Sequence, residues 1–108
     1  MVMWKLYLDD ERFPKYDRDS YTICRSVNEA KTIINDKGIP VFISFDHDLG
    51  EGVETGHDLA KWLVEQIMDG NLSIPKGFHF NVHSANPVGA KNIKLLLERF
   101  LTIGLRGN

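Results

Sequence analysis

Chemistry is first concentrated in this chain at Asp46-His47-Asp48, where the apolar start of FISFDHDLGEGVETGHD gives way to two acids around a histidine. Charges at the end of a buried strand are costly unless they are paired, metal-bound or exposed in a cleft. Two similar endings occur elsewhere. Asp9-Asp10 closes the apolar segment 3–8, and His83-Ser84 closes an alternating segment at 78–83. Carboxylates brought to one place repel each other unless a cation lies among them, and carboxylate oxygens suit Mg²⁺ or Mn²⁺, often beside phosphates. Asp9, Asp10, Asp46 and Asp48 are therefore candidate metal ligands. The plainer reading is a set of solvated turn acids, one of them paired to Arg12.

Imidazole titrates near neutral pH, so His47 and His83 are the candidates for proton transfer, with either one as acid or base. His83, just before a helix start, is the stronger candidate, since His47 also reads as an ion-pair partner of its flanking acids. His57 falls in a first helical turn, where a positive charge is unfavourable. His79 reads as a surface residue. Gly50, Gly52 and Gly56 surround a helix start at Thr55, and HSANPVGA supplies a second start with Ser84 and Asn86 as donors. Free N–H groups at helix starts bind anions, so two of them facing an acidic edge point to a phosphate-bearing ligand.

The elements that must position these residues follow from hydrophobic periodicity. Strands are expected at 3–8, 21–25, 41–45 and 78–83, the third as a central parallel strand and the fourth as an alternating edge strand. A loop replaces a first helix at 11–20, where Pro14 and mixed charges interrupt the pattern. Helices are expected after a Ser26/Glu29 capping box, over 55–68 with a Thr55/Asp58 capping box, and from Asn86 with Pro87 at its first position to a stop at Gly104. Their apolar stripes include Ala30 and Ile34, Leu63 and Ile67, and Ile93 and Leu97. This order implies an α/β fold: a small, open, mainly parallel sheet of about four strands with flanking helices. Ligands of such sheets bind outside the carboxyl ends of the strands, where the three polar clusters would converge.

The chain has 108 residues, enough for a single domain over 1–108. Hydrophobic residues make up 43% and charged residues 26%, as in an ordinary globular protein. A net charge of −2 argues against a protein that coats nucleic acid through a general basic field. No apolar run approaches the roughly 18 residues of a membrane span, so no membrane partner is expected. The single cysteine, Cys24, forms no internal disulfide and points to a reducing, cytoplasmic setting. Trp4, Trp62 and Cys24 read as core, and Lys61, Lys91 and Lys94 as solvated helix faces.

An acid pair after the first strand and an aspartate after a central strand resemble the receiver domains of two-component signalling, a flavodoxin-like fold. The chain departs from an ordinary receiver in its missing first helix and in having no counterpart of the fifth strand and its lysine. More specifically, LYLDDERFP, ISFDHDLG, TGHDLAKWL and HSANPVGAKNI together resemble cyclic-phosphate processing receiver domains across nearly the whole chain. That resemblance implies processing of a cyclic phosphate end of RNA or of a small cyclic nucleotide. It places the acids at Asp9, Asp10, Asp46 and Asp48, the histidines at His47 and His83, and substrate contacts at Arg12, Thr55, Gly56, Ser84 and Asn86.

Three functions fit these residues. The first is a metal-assisted phosphoesterase with His83, His47 and Asp46 in catalysis. The second is a signalling receiver with a protein partner and Asp46 as phospho-acceptor. The third is a non-catalytic nucleotide- or protein-binding domain, for which two strand-end histidines have no evident use.

Overall fold

The computed structural model describes residues 3–106. Its elements are β1 (Lys5–Leu8), β2 (Tyr21–Cys24), α1 (Val27–Lys37), β3 (Phe42–Phe45), α2 (Gly56–Met68), β4 (His79–Val82) and α3 (Pro87–Arg106). The strands form one sheet in the order β2-β1-β3-β4, and every pairing is parallel. This is a small receiver-like α/β fold. The loop expected between β1 and β2 is present, with one 3-10 turn at Arg18–Ser20 before β2 begins.

Both helical crossovers run the same way along the sheet, β2 to β3 and β3 to β4, so their handedness puts α1 and α2 on one face. Packing agrees. Leu6, Leu8, Cys24, Ile43 and Phe45 are fully buried and share one cluster with Ala30, Ile34, Leu59, Ala60, Ile93 and Leu97 from the three helices. Fully burying each large apolar side chain contributes about 1.5–3 kcal/mol, so this face holds the fold together. Trp4 and Cys24 are buried as expected, and Trp62 packs partly buried against the same core.

The helix ends show why these segments stop and start where they do. Thr55 Oγ1 accepts the N–H of Asp58 while the Asp58 carboxylate accepts that of Thr55, completing the expected capping box. At α1, Ser26 Oγ accepts the Glu29 N–H, but the Glu29 carboxylate accepts from Arg25 rather than from Ser26 itself. The reciprocal bond is shifted by one residue and ties the end of β2 to the helix. Gly104 does not stop α3, which continues to Arg106. One interior glycine costs a helix only about 1 kcal/mol, so the final turns persist through it. Among the described residues no helix is long and apolar enough to cross a membrane.

Candidate functional site

Register assembles the site. Leu8 pairs with Phe45, and Phe45 with Val82. The ladder continues one residue further: Asp46 N–H donates to Leu8 O at 2.9 Å, His83 N–H to Phe45 O at 2.9 Å, and Asp9 N–H to Cys24 O at 3.1 Å. Asp9, Asp46 and His83 therefore stand in one row at the carboxyl edge. Leu8 and Phe45 face the helices, so alternation turns the next residues to the opposite face. There Asp9, Asp46 and His83 each offer a ligand atom, all within 4.8 Å of one another.

Asp9 is fully buried and densely bonded. Its Oδ1 accepts the backbone N–H groups of Glu11 (3.0 Å) and Arg12 (2.8 Å). Its Oδ2 accepts Arg12 Nε (2.9 Å) and lies 3.0 Å from His83 Nε2. Burial alone would push this carboxyl up. The two backbone donors, His83 and the Arg12 charge outweigh it and hold Asp9 below the ordinary aspartate value. Asp46 is nearly as buried, with Arg12 Nη2 at 3.6 Å. Burial first, and the Asp9 charge second, push its carboxyl up against the pull of Arg12, His83 and the His47 N–H. Arg12 thus spans both acids, and their charges hold its guanidinium protonated against the effect of burial.

His83 is fixed on every side. Its ring stacks on Tyr7 at 4.4 Å between centroids and 5° between planes. Its Nδ1 lies 2.7 Å from Ser44 Oγ. Burial lowers its proton affinity more than Asp9 and Asp46 raise it, so the neutral ring is favoured. An ionised carboxylate only accepts, so Nε2 carries the proton toward Asp9 and Nδ1 accepts from the Ser44 hydroxyl. Arg25 completes the corner by donating Nη1 to the carbonyls of Asp9 (3.1 Å) and Arg12 (2.7 Å), which fixes the turn that delivers Arg12.

The other candidates fall elsewhere. Asp10 is exposed and outside this cluster. His47 sits against the first turn of α3: a Cβ at Gly89 would run into its ring, and its Nδ1 lies 2.8 Å from Asp48 Oδ1. Asp48 also approaches Asn86 Nδ2, at 3.3 Å, and contacts with His47 and then Asn86 lower its proton affinity. The structure therefore splits the sequence candidates into two groups, Asp9–Asp46–His83–Arg12 and His47–Asp48–Asn86. Thr55 is engaged in its capping box, Ser84 Oγ accepts the Asn86 N–H, and Asn86 Oδ1 accepts the Gly89 N–H. Gly56 makes a close approach, since a Cβ there would drive into the Asp46 carbonyl oxygen. His57 is half-buried, its proton affinity lowered by burial and then by Lys61, and His79 is exposed.

Tyr7, Ser44, Arg25 and Gly89 were not singled out from sequence. Tyr7 and Ser44 had a signal: each lies two residues before a site aspartate and so shares its face. Among the described residues every buried side-chain nitrogen and oxygen has a partner.

A family model described as cyclic-phosphate processing receiver domain matches residues 4–99. The chain belongs to that family. Comparison with curated proteins gave no match, and comparison with solved structures gave none.

Proposed function

We propose that this cyclic-phosphate processing receiver domain is a phosphoesterase that opens a cyclic phosphate, with a 2′,3′-cyclic end of RNA or a related nucleotide as substrate. The observation that carries this reading is the row itself: two buried carboxylates, an imidazole and a guanidinium converge at the strand ends where α/β sheets bind ligands. In the reaction, a water oxygen bonds to phosphorus, the bond from phosphorus to one ribose oxygen breaks, and that ribose oxygen takes a proton. A phosphomonoester remains on the neighbouring oxygen.

The residues divide this work by their state. Asp46 has the raised proton affinity and the fewer partners, so it accepts the proton of the attacking water. The proton that Asp46 takes from the water passes to His83 in the same row, and the imidazolium so formed gives one to the departing ribose oxygen, which returns both groups to their starting state. Arg12 is half-exposed and pairs with the phosphate oxygens, which gain charge during attack. Asp9 acts as the anchor that holds Arg12 and His83 in place. The two carboxylates of Asp9 and Asp46 fit Mn²⁺ or Mg²⁺, which favour oxygen ligands. Asp9 and Asp46 would hold the ion, which would polarise the phosphoryl oxygens when bound. A reducing, cytoplasmic setting suits Cys24, whose thiol burial, with the Glu29 charge, pushes up to about 12.

An end-group assay tests the reading. A short RNA ending in a 2′,3′-cyclic phosphate is incubated with wild type, Asp46→Ala and His83→Ala, each with Mn²⁺, Mg²⁺ or EDTA. Opening by wild type and loss in both variants is the expected result. Equal opening by all three proteins would sink the assignment. A second reading, phosphoryl transfer to Asp46, draws on its place at the end of β3 beside Asp9. It expects one added phosphoryl mass on Asp46 after treatment with acetyl phosphate and Mg²⁺.

A further inference from the structure

The sheet face that turns away from the helices has a composition that core packing does not require. Across its lower row, register aligns Tyr21, Lys5, Phe42 and His79, and Tyr7 lies one row above, below Asp9 and His83. None of these five belongs to the hydrophobic cluster that joins the sheet to the helices. They pack on one another instead. Tyr7 meets Tyr21 edge-on at 5.9 Å, Tyr21 meets Phe42 at 6.1 Å, and Phe42 meets His79 at 4.7 Å. Lys5 Nζ lies 5.5 Å over the Tyr21 ring. Tyr21 and Phe42 remain half-buried and His79 exposed, and among the described residues all three helices pack on the other face.

We propose that this face is a stacking platform for the single-stranded nucleotides that lead to the phosphate end, with Phe42 and Tyr21 under the bases and Lys5 beside the backbone. The inference rests on the reading of the Asp9–Asp46–His83 edge as the place where that end is processed. Three observations carry it. First, the platform runs without interruption into that edge through Tyr7, which stacks on His83. Second, cations border the face where a backbone would run. Lys5 lies over the Tyr21 ring, half-exposed Arg12 stands at the edge against the buried Asp9 and Asp46, and Arg18 and Arg25 both pack on the Phe13 ring, at 3.5 and 4.6 Å. A second copy docked through the same face would set these cations against one another, since a two-fold contact joins a patch to itself. Third, size fits. Four strands and four residues of rise give a face about 14 by 13 Å, comparable to the four-stranded sheets on which RNA-binding domains stack two or three bases.

The test compares two probes by equilibrium binding: a fluorescein-labelled tetrauridylate ending in a 2′,3′-cyclic phosphate, and uridine 2′,3′-cyclic phosphate alone. Phe42→Leu keeps apolar volume but removes the stacking surface, and Lys5→Gln removes a cation without touching the core. Thermal melts of both variants establish that they fold. Each should weaken the longer probe, Phe42→Leu by about ten-fold, the size of one lost base stack. Neither should shift the one-nucleotide probe by more than about two-fold, if the longer probe gains its affinity on the platform. Equal affinity of wild type and both variants for the longer probe overturns the platform, even if the phosphate is opened. Phe42-dependent binding without opening keeps the platform and removes the reaction. A wild-type dimer in sedimentation that Phe42→Leu disperses and the oligonucleotide does not compete overturns it in favour of self-association.

Discussion

His83 and His47 follow neighbouring strands and are almost equally exposed, at 16% and 18% of the side chain. Depth does not separate them; engagement does. His83 is held at both ring nitrogens and across its face, by Asp9, Ser44 and Tyr7. His47 is held at Nδ1 by an exposed carboxylate and lies on a glycine of α3. The sheet ladder runs on as far as Asp46 and puts it in the acidic row, while His47 lies beyond it, against the first turn of α3. His83 thus has fixed partners at both ring nitrogens, whereas His47 docks the end of β3 on the start of α3.

The largest test of that contrast is activity. His83→Ala should lower ring opening by about 100-fold or more, and His47→Ala by less than about 10-fold, as measured by single-turnover kinetics. Equal losses would erase the distinction. Stability gives the next largest effect through the two close-approach glycines. Gly56→Ala drives a methyl into backbone, which cannot yield, and should cost about 3 kcal/mol, or roughly 15 °C in melting temperature. At Gly89→Ala the nearest obstacle is the His47 ring, which can turn, so about 1 kcal/mol is expected, together with loss of the His47–Asp48 contact in NMR spectra. If both cost the same, His47 is as rigidly placed as the backbone and the contrast fails.

Two smaller effects sharpen the description of the His83 side. Arg12→Ala leaves Asp9 and Asp46 facing each other without their guanidinium. Half of that side chain is exposed, so solvent screening limits the cost to about 1 kcal/mol by denaturant melt in EDTA. Mn²⁺ should restore part of the loss; no recovery would argue against cation binding between the two acids. The smallest effect is a pH slope. The folded His83 binds a proton less readily than the ordinary histidine value near 6.5, so below that value the unfolded chain takes up protons first. In EDTA its stabilising contribution is present above that value and is lost as pH falls toward the lower folded value. His83→Gln should flatten the slope between pH 7.5 and 5.5, with His57, also lowered, supplying the remainder. An unchanged slope would remove His83 as its source.

Much of this arrangement was legible as pattern. Apolar runs ended where Asp9, Asp46 and His83 stand, and β4 read as an edge strand from its alternation. The split between Asp46 and Asp48 was less so, because the chain leaves the strand after Phe45 and two-residue periodicity no longer governs it. Arg12 reaches both acids from a loop, with a long side chain aimed by Arg25 and by the Asp9 turn. No local spacing encodes that aim. Tyr7 and His83 meet across an intervening strand, a contact that exists only once the register is set. The shifted capping bond at Glu29 and the persistence of α3 through Gly104 are the same lesson at helix ends, where neighbouring structure decides between nearly equal local choices.

The main-chain amides of Asp9, Asp46 and His83 each donate into the sheet ladder. These protons can exchange with solvent only when the strands themselves part, so they belong among the slowest-exchanging sites in the molecule. The positions of the three residues are thus settled when the sheet forms, and no later ordering of backbone is needed when a ligand arrives. Motion at this edge on the nanosecond timescale is left to side chains, above all to the half-exposed guanidinium of Arg12. Relaxation measurements would register it as a mobile tip on a rigid floor.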